Sequence, residues 1–452
     1  MNRSTRRHSR AIGAIGVLLA FTGLAAACGD DGGDSASTTA EGASTTAAGA
    51  ATTEAAGATT TEAAAATTVA APTGEPIKIG LATALTGTSA SSYSPYSGNV
   101  ASAWESWVNT ELGGIAGRPV KVIVEDTAAQ SAQAQAAAKK LVEQDKVSAI
   151  IILDTTSETA MADYLETAKV PVIGGSTNAA AIWLGKPNYF MITSTNPVTA
   201  ASGVFAAAAN GAKNYGAAVC AEVPACAEGG KLYGAVAPQI PTPIAYGGLV
   251  TAAATAPNYT AECLKLIELK VDWVQISMSV APGLRLAADC QKQGFTGTFG
   301  ASSATVQADK FEAVKGVNFG GSIASFPWWS EAAPVKQFRT VMDTYKKGEE
   351  YRSQAGTAAW TALELFRKTM AKAGATTTPA DVTAAYQTIK NETLDGLLAS
   401  PVTFTAGTNS PALSCFWAFS MKDGKFATVS SGTPGNGQTG DLASSCFMPK
   451  LG

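Results

Sequence analysis

The sequence is almost without histidine. The one copy, His8, lies in the first ten residues, in a segment read below as an export leader. A mature chain without histidine excludes Ser-His and Cys-His nucleophilic catalysis and the usual His-containing zinc sites. Charge is also scarce. Asp, Glu, Lys and Arg make up 15% of the 452 residues and hydrophobic residues 46%, a composition that folds with a quiet surface. Four of the 32 basic residues (Arg3, Arg6, Arg7, Arg10) precede Cys28 and no acid does, so from Cys28 onward 28 basic residues face 35 acidic ones, a net charge of −7. Such a surface repels phosphate backbones, and no nucleic-acid partner is expected. No Walker spacing occurs, and no G-x-G-x-x-G follows a strand. Gly432 to Gly437 lacks a strand-to-helix context, so nucleotide binding has no support. Neither a cofactor nor a metal is expected.

A leader is present at the start of the chain. Residues 3–10 supply a basic segment, Ala11 to Ala27 an uncharged apolar run, and Leu24-Ala25-Ala26-Ala27 small residues before Cys28. This pattern resembles a bacterial lipoprotein signal at residues 1–27. That resemblance implies a lipid on Cys28 and anchoring on the outer face of the cytoplasmic membrane. Ala25 stands where such signals favour Leu, Val or Ile, which leaves a plain secretory signal or an uncleaved anchor as alternatives. The run is slightly short for a transmembrane helix of roughly 20 residues. Residues 28–75 are a low-complexity stretch of Ala, Thr, Gly and Ser with almost no large apolar side chains. Such a segment cannot bury enough surface to offset ordering, so a flexible tether with a reach of about 35–40 Å is expected.

Seven cysteines minus Cys28 leave six: Cys220, Cys226, Cys263, Cys290, Cys415 and Cys446. An even number in an exported chain suggests three disulfides. Nearness in sequence favours Cys220–Cys226, Cys263–Cys290 and Cys415–Cys446; the alternative is that some are free buried thiols.

From residue 76 the pattern alternates. Strands are expected at Ile77–Ala82, Val120–Val124, Val147–Leu153 and Pro171–Ile173, with helices over Ser97–Leu112, Ala128–Gln144 and Thr156–Ala168 between them. The rhythm resumes with helix Val198–Asn210, strand Tyr215–Cys220, helix Thr260–Leu269, strand Trp273–Ser277, helix Leu284–Gln293 and strand Thr298–Phe299. Strand Phe319–Ser325 and helices Pro334–Lys346, Gly356–Lys372 and Pro379–Ile389 follow. The end is read as strands at Val402–Phe404, Ser414–Met421 and Phe426–Ser430, with Asp423-Gly424 as a turn. Strands alternating with helices imply parallel sheets covered on both faces, and two such runs imply two α/β lobes.

In open parallel sheets, ligands sit beyond the carboxyl ends of the strands. The turns there are rich in hydroxyls and glycine: Thr83 to Tyr93 after the first strand, Asp154-Thr155-Thr156-Ser157 after the third, and Gly174-Gly175-Ser176-Thr177-Asn178 after the fourth. Hydroxyls with helix N-terminal amides suit a carboxylate or another small anion. Each of these residues also fits a plain helix cap. Phe326-Pro327-Trp328-Trp329 fits a cleft wall or packing between lobes.

The chain from about Ile77 to Phe426 resembles the periplasmic-binding-protein family typified by the leucine/isoleucine/valine receptors of ABC importers. The resemblance rests on Ile77-Lys78-Ile79-Gly80 with Leu85-Thr86-Gly87, then Gly113-Gly114-Ile115-Ala116-Gly117-Arg118 leading to Glu125-Asp126. Val147–Leu153 with Thr155-Thr156, and Val170-Pro171-Val172-Ile173, extend it. It implies the type I fold, with two doubly wound Rossmann-like lobes joined by a three-strand hinge that closes on ligand. Lobe one is expected at 76–195 plus 324–395, lobe two at 196–323 plus 396–452. The family's carboxylate-holding positions match Thr155, Thr156, Ser176, Thr177 and Asn178, and a first-loop aromatic matches Tyr93. In lobe two the position of the ammonium-holding acid falls in Gly300-Ala301-Ser302-Ser303-Ala304, which has no acid, and this argues against an ordinary amino-acid ligand. Glu222 is a substitute candidate; Ser302, Ser303 and Trp328 complete the expected site.

The resemblance implies a monomeric receptor, not an enzyme, that hands an amino acid, amide or carboxylate to the permease and ATPase subunits of an ABC importer. One alternative is a sensor of the same fold signalling to a membrane partner. A histidine-free enzyme is the other, with Asp154 beside Thr155 as its only candidate.

Overall fold

The computed structural model describes residues 69–222, 224–301, 303–374 and 377–450, excepting the side chains of 224–226 and 228. The expected leader, Cys28 and nearly all of the tether lie outside the described residues. The first run comprises β1 (Ile77–Thr83), α1 (Ala90–Tyr93), α2 (Tyr96–Glu111), β2 (Val120–Asp126), α3 (Ser131–Lys139), β3 (Ala149–Leu153), α4 (Thr155–Thr167), β4 (Val172–Gly175), α5 (Ala180–Trp183) and β5 (Tyr189–Phe190). Its strands form a parallel sheet in the order β2-β1-β3-β4-β5. Every residue of β3 is buried. That explains its unbroken apolar run: it sits between β1 and β4, with Ile79 opposite Ala149, and helices cover both faces.

The second run comprises α6 (Asn196–Ala209), β6 (Asn214–Cys220), α7 (Pro224–Val236), β7 (Ala245–Ala252), α8 (Thr260–Glu268), β8 (Trp273–Ser277), α9 (Val280–Lys292), β9 (Thr298–Ala301), α10 (Ala308–Ala313) and β10 (Asn318–Ile323). The chain then forms α11 (Ala333–Tyr345), α12 (Gln354–Ala373) and α13 (Pro379–Tyr386) before β11 (Cys415–Lys422), β12 (Lys425–Thr428) and β13 (Ser445–Cys446). The second sheet runs β12-β11-β10-β9-β8-β6-β7, with β13 paired to β11. The order reverses around β1 and β3 in one sheet and around β6 and β8 in the other, where parallel sheets open a crevice.

Helices α11 and α12 return to the first sheet. Trp360 of α12 stacks on Trp107 of α2 at 5.5 Å, and Phe338 of α11 meets Trp360 at 5.0 Å. The indole of Trp104 donates to Glu364 at 2.7 Å. The last strands return to the second sheet instead: β11 pairs antiparallel with β10, Ile323 facing Trp417. Asp423 and Gly424 both take positive φ, closing the β11–β12 hairpin as the Asp-Gly pair predicts.

Two expected disulfides are formed, Cys263–Cys290 between α8 and α9 and Cys415–Cys446 between β11 and β13. Cys220 is also disulfide-bonded; the side chain of Cys226, its expected partner, lies outside the described residues. The expected strand Val402–Phe404 is not one. Val402 makes only an isolated bridge to Glu392. Strand β7 went unread in the sequence, because Ala245–Ala252 carries two glycines and sits at the sheet edge, mostly half-exposed. No described helix is long and apolar enough to cross a membrane.

Candidate functional site

The carboxyl ends of β3 and β4 open into a narrow cleft of about 30 Å³. Gly175 shapes its first-lobe wall. It takes φ +108°, and a Cβ there would stand 2.0 Å from the Ile152 carbonyl oxygen, so only glycine lets the chain turn against β3. Ser176, Thr177 and Asn178 follow and line the cleft.

Four expected residues from three separate turns meet here. Tyr93 lines the cleft beside Ser176; burial foremost pushes its phenol's pKa up, with the nearby Ser176 and Thr155 hydroxyls opposing. Asn178 Nδ2 donates to Thr155 Oγ1 at 2.7 Å. Thr155 therefore braces the wall while Tyr93, Ser176 and Asn178 face the cleft. Thr177 also lines it, but its hydroxyl donates to the Ser194 carbonyl at 2.8 Å and meets Thr193 Oγ1 at 2.6 Å. Thr156 is not among the lining residues; its amide donates to Asp154 Oδ1 at 3.1 Å. Asp154 is the helix cap of α4, and its Oδ2 also accepts from Thr127 and Ser157, both at 2.7 Å. Its oxygens are committed to framework donors, which leaves no support for the nucleophile-activating role.

The second lobe contributes Ser303 and Thr199. Ser303 Oγ accepts from the amide of Ala324 at 3.1 Å, so this hydroxyl ties β9's end to the segment leaving β10. Ser302 lies outside the described residues. Glu222 does not line the cleft. It is exposed at the end of β6, and its carboxylate accepts from the amide of Ala254 at 2.6 Å, which commits it to the neighbouring loop. Trp328 is also placed elsewhere: it meets Trp329 at 4.8 Å and Phe426 of β12 at 5.3 Å. Trp329 donates to Thr428 at 3.1 Å. The aromatic segment therefore packs on the second sheet and does not wall the cleft.

Five polar contributors were missed: Thr193 and Thr199, which line the cleft, with Ser194, Gln354 and Glu158. Ser194 is 4% exposed, lines the cleft and has no partner for its Oγ. Gln354, at the start of α12, lines the cleft and accepts from the amides of Ala324 and Ser325 at 3.0 and 3.3 Å. Glu158 is buried behind the wall, accepting from the amides of Asn178 and Ala179 at 3.1 and 2.7 Å. Burial pushes its pKa from 4.5 to about 7. Helix Gly356–Lys372 was expected, but nothing in the sequence aimed its start at this cleft.

No charged side chain is found among the described lining residues. The walls pair hydroxyls and amides with the apolar surfaces of Leu153, Ala304 and Ala355. Such a surface orients and desolvates a small molecule.

Two α/β lobes flanking a polar cleft define a two-lobed small-molecule binding protein of the type I fold. The sequence model of the periplasmic binding protein family matches residues 76–425, and the chain belongs to that family. A search of curated proteins finds no match. Among solved structures, the leucine binding protein LivK of Thermotoga maritima is similar with a TM-score of 0.61 and 18% identity, covering 78% of this chain and 97% of that one. A fatty acid ABC transporter substrate-binding protein from Thermomonospora curvata gives 0.64 and 19%, covering 79% and 93%. A solute binding protein of an ABC transporter from R. palustris, in complex with benzoate, gives 0.62 and 15%, covering 83% and 99%.

Proposed function

We propose that the chain is the extracytoplasmic solute receptor of an ABC importer. In this reading it is held to the outer face of the cytoplasmic membrane by a lipid on Cys28 and passes its ligand to a permease. The observation that carries the reading is the cleft itself. Tyr93, from the loop after β1, and Ser176 and Asn178, from the turn after β4, face Ser303 and Thr199 of the second lobe. A ligand that touches both walls favours the closed state, because only that state offers both sets of contacts. The family membership and the solute-binding proteins of like fold support it.

The ligand is a small polar molecule. The described lining offers no acid for an ammonium group, and hydroxyl and amide donors suit an amide or a carboxylate. Thermal unfolding against a panel of amino acids, amides and carboxylates tests this, after unfolding and refolding to strip carried-over ligand. A ligand at 100 times its Kd adds about 2.7 kcal/mol, a visible rise in Tm. A rise confined to one chemical class supports the receptor; a flat panel on the stripped protein rejects these ligand classes.

A further inference from the structure

Thr199, which lines the cleft, also borders a second chamber of about 310 Å³, which enters the second lobe between α6 and α7. Two glycines leave it open. Gly203 faces it from α6 and Gly229 from α7, and a Cβ at Gly229 would meet nothing within 4 Å. Its sides are apolar at Pro197, Ala200 and Leu232.

Its floor is polar. Gln275 lies in the middle of β8, 2% exposed, where strands of this kind usually carry only apolar side chains. One end of its amide accepts from Tyr215 OH at 3.1 Å. No partner within the protein takes up the other end, Nε2, and Gln275 lines the chamber. Nε2 is open to the chamber, so a guest there can take it as a hydrogen-bond donor. The other floor hydroxyls are satisfied: Ser322 Oγ meets Ser202 Oγ at 2.6 Å, and Tyr233 OH meets Ser277 Oγ at 2.7 Å. Gln275 is thus the floor group with spare capacity.

We propose that this chamber is a second subsite of the cleft, taking the far end of an elongated ligand. That end is an apolar stem finished by an uncharged hydrogen-bonding group, a carbonyl or hydroxyl, which the Gln275 amide recognises. The inference rests on the receptor reading and names the ligand's shape and its second polar group. A purely apolar tail would leave the amide unpaired, and a charged end finds no opposite charge among the described lining residues.

The test is calorimetric titration of the refolded full chain with butanamide, which ends within the first cleft, and adipamide, which adds a stem and a second amide. Adipamide is expected to bind at least tenfold tighter. That ratio falls to near one in Gln275→Leu, and separately in Gly229→Leu, which fills the chamber from the helix side and leaves the floor intact. Adipamide binding no tighter than butanamide, or a ratio that survives both substitutions, overturns the subsite and leaves the receptor reading standing. If neither amide binds the wild-type chain, the amide-receptor reading fails and the subsite with it.

Discussion

Asp154 and Glu158 lie one helical turn apart at the start of α4, and both are buried. Their oxygens do different work. Asp154 caps its own helix, whereas Glu158 reaches across to hold the amides of Asn178 and Ala179 behind the cleft wall. With burial raising its pKa from 4.5 to about 7, Glu158 binds a proton in the folded state that it has released in the unfolded one across that interval. Folding stability therefore falls as pH rises from about 4.5 to 7, by up to about 3 kcal/mol from this group. Urea midpoints of wild type and Glu158→Gln over pH 4 to 8 check the sign: the difference in stability between them shifts towards the variant as pH rises. A pH-independent difference removes the assignment. On the cleft face, Tyr93→Phe deletes the phenol that lies near the Ser176 and Thr155 hydroxyls. It is expected to weaken ligand binding about tenfold, near 1.4 kcal/mol, with Tm of the ligand-free protein little changed; calorimetric titration with the best panel ligand measures it.

At the scale of elements, the repeated strand–helix rhythm made both sheets legible, because parallel strands covered on two faces must be apolar throughout and their helices amphipathic. Legibility failed where those pressures relax. Strand β7 is an edge with Gly247 and Gly248, so no alternation marks it. Val402–Phe404 has apolar residues without being a strand because Val402 and Phe404 are buried in the core cluster that includes Tyr386 and Leu398. The site was half legible. Tyr93, Ser176 and Asn178 follow strands that were read in sequence; Ser194 follows β5, a two-residue strand too short to read, and Gln354 reaches the cleft from α12, far along the chain. Nearness in sequence predicted Cys263–Cys290 correctly because α8 and α9 flank β8 as consecutive crossovers. That bond closes a loop over a sequence separation of 27, so its loss releases unfolded-state entropy worth about 3–4 kcal/mol. The double variant Cys263→Ala with Cys290→Ala is expected to lose that much stability in urea unfolding. A loss below about 1 kcal/mol contradicts it.

Across the whole molecule, the two lobes touch through more than the cleft. Tyr96 at the start of α2 is buried, and its hydroxyl faces Asp309 Oδ1 at 2.9 Å and Gln307 Oε1 at 3.2 Å, both beside α10 of the second lobe. The amide of Ala308 donates to the Arg352 carbonyl at 2.9 Å, and Arg352 pairs with Glu312 at 2.8 Å. These contacts join the two lobes outside the cleft lining. A clasp of this kind sets how much of the ligand's binding energy is spent on closure, since apparent affinity scales with the fraction of molecules already closed. Tyr96→Phe keeps the ring packing and removes the bridging hydroxyl, a loss of about 1 kcal/mol from the closed state alone. Small-angle scattering is expected to show a larger radius of gyration for the ligand-free variant than for the ligand-free wild type. Saturating ligand brings the two together, and the variant's affinity falls about fivefold. Equal radii with equal affinities would place the lobe equilibrium under the control of the backbone pairing at Ala308 and Arg352 instead.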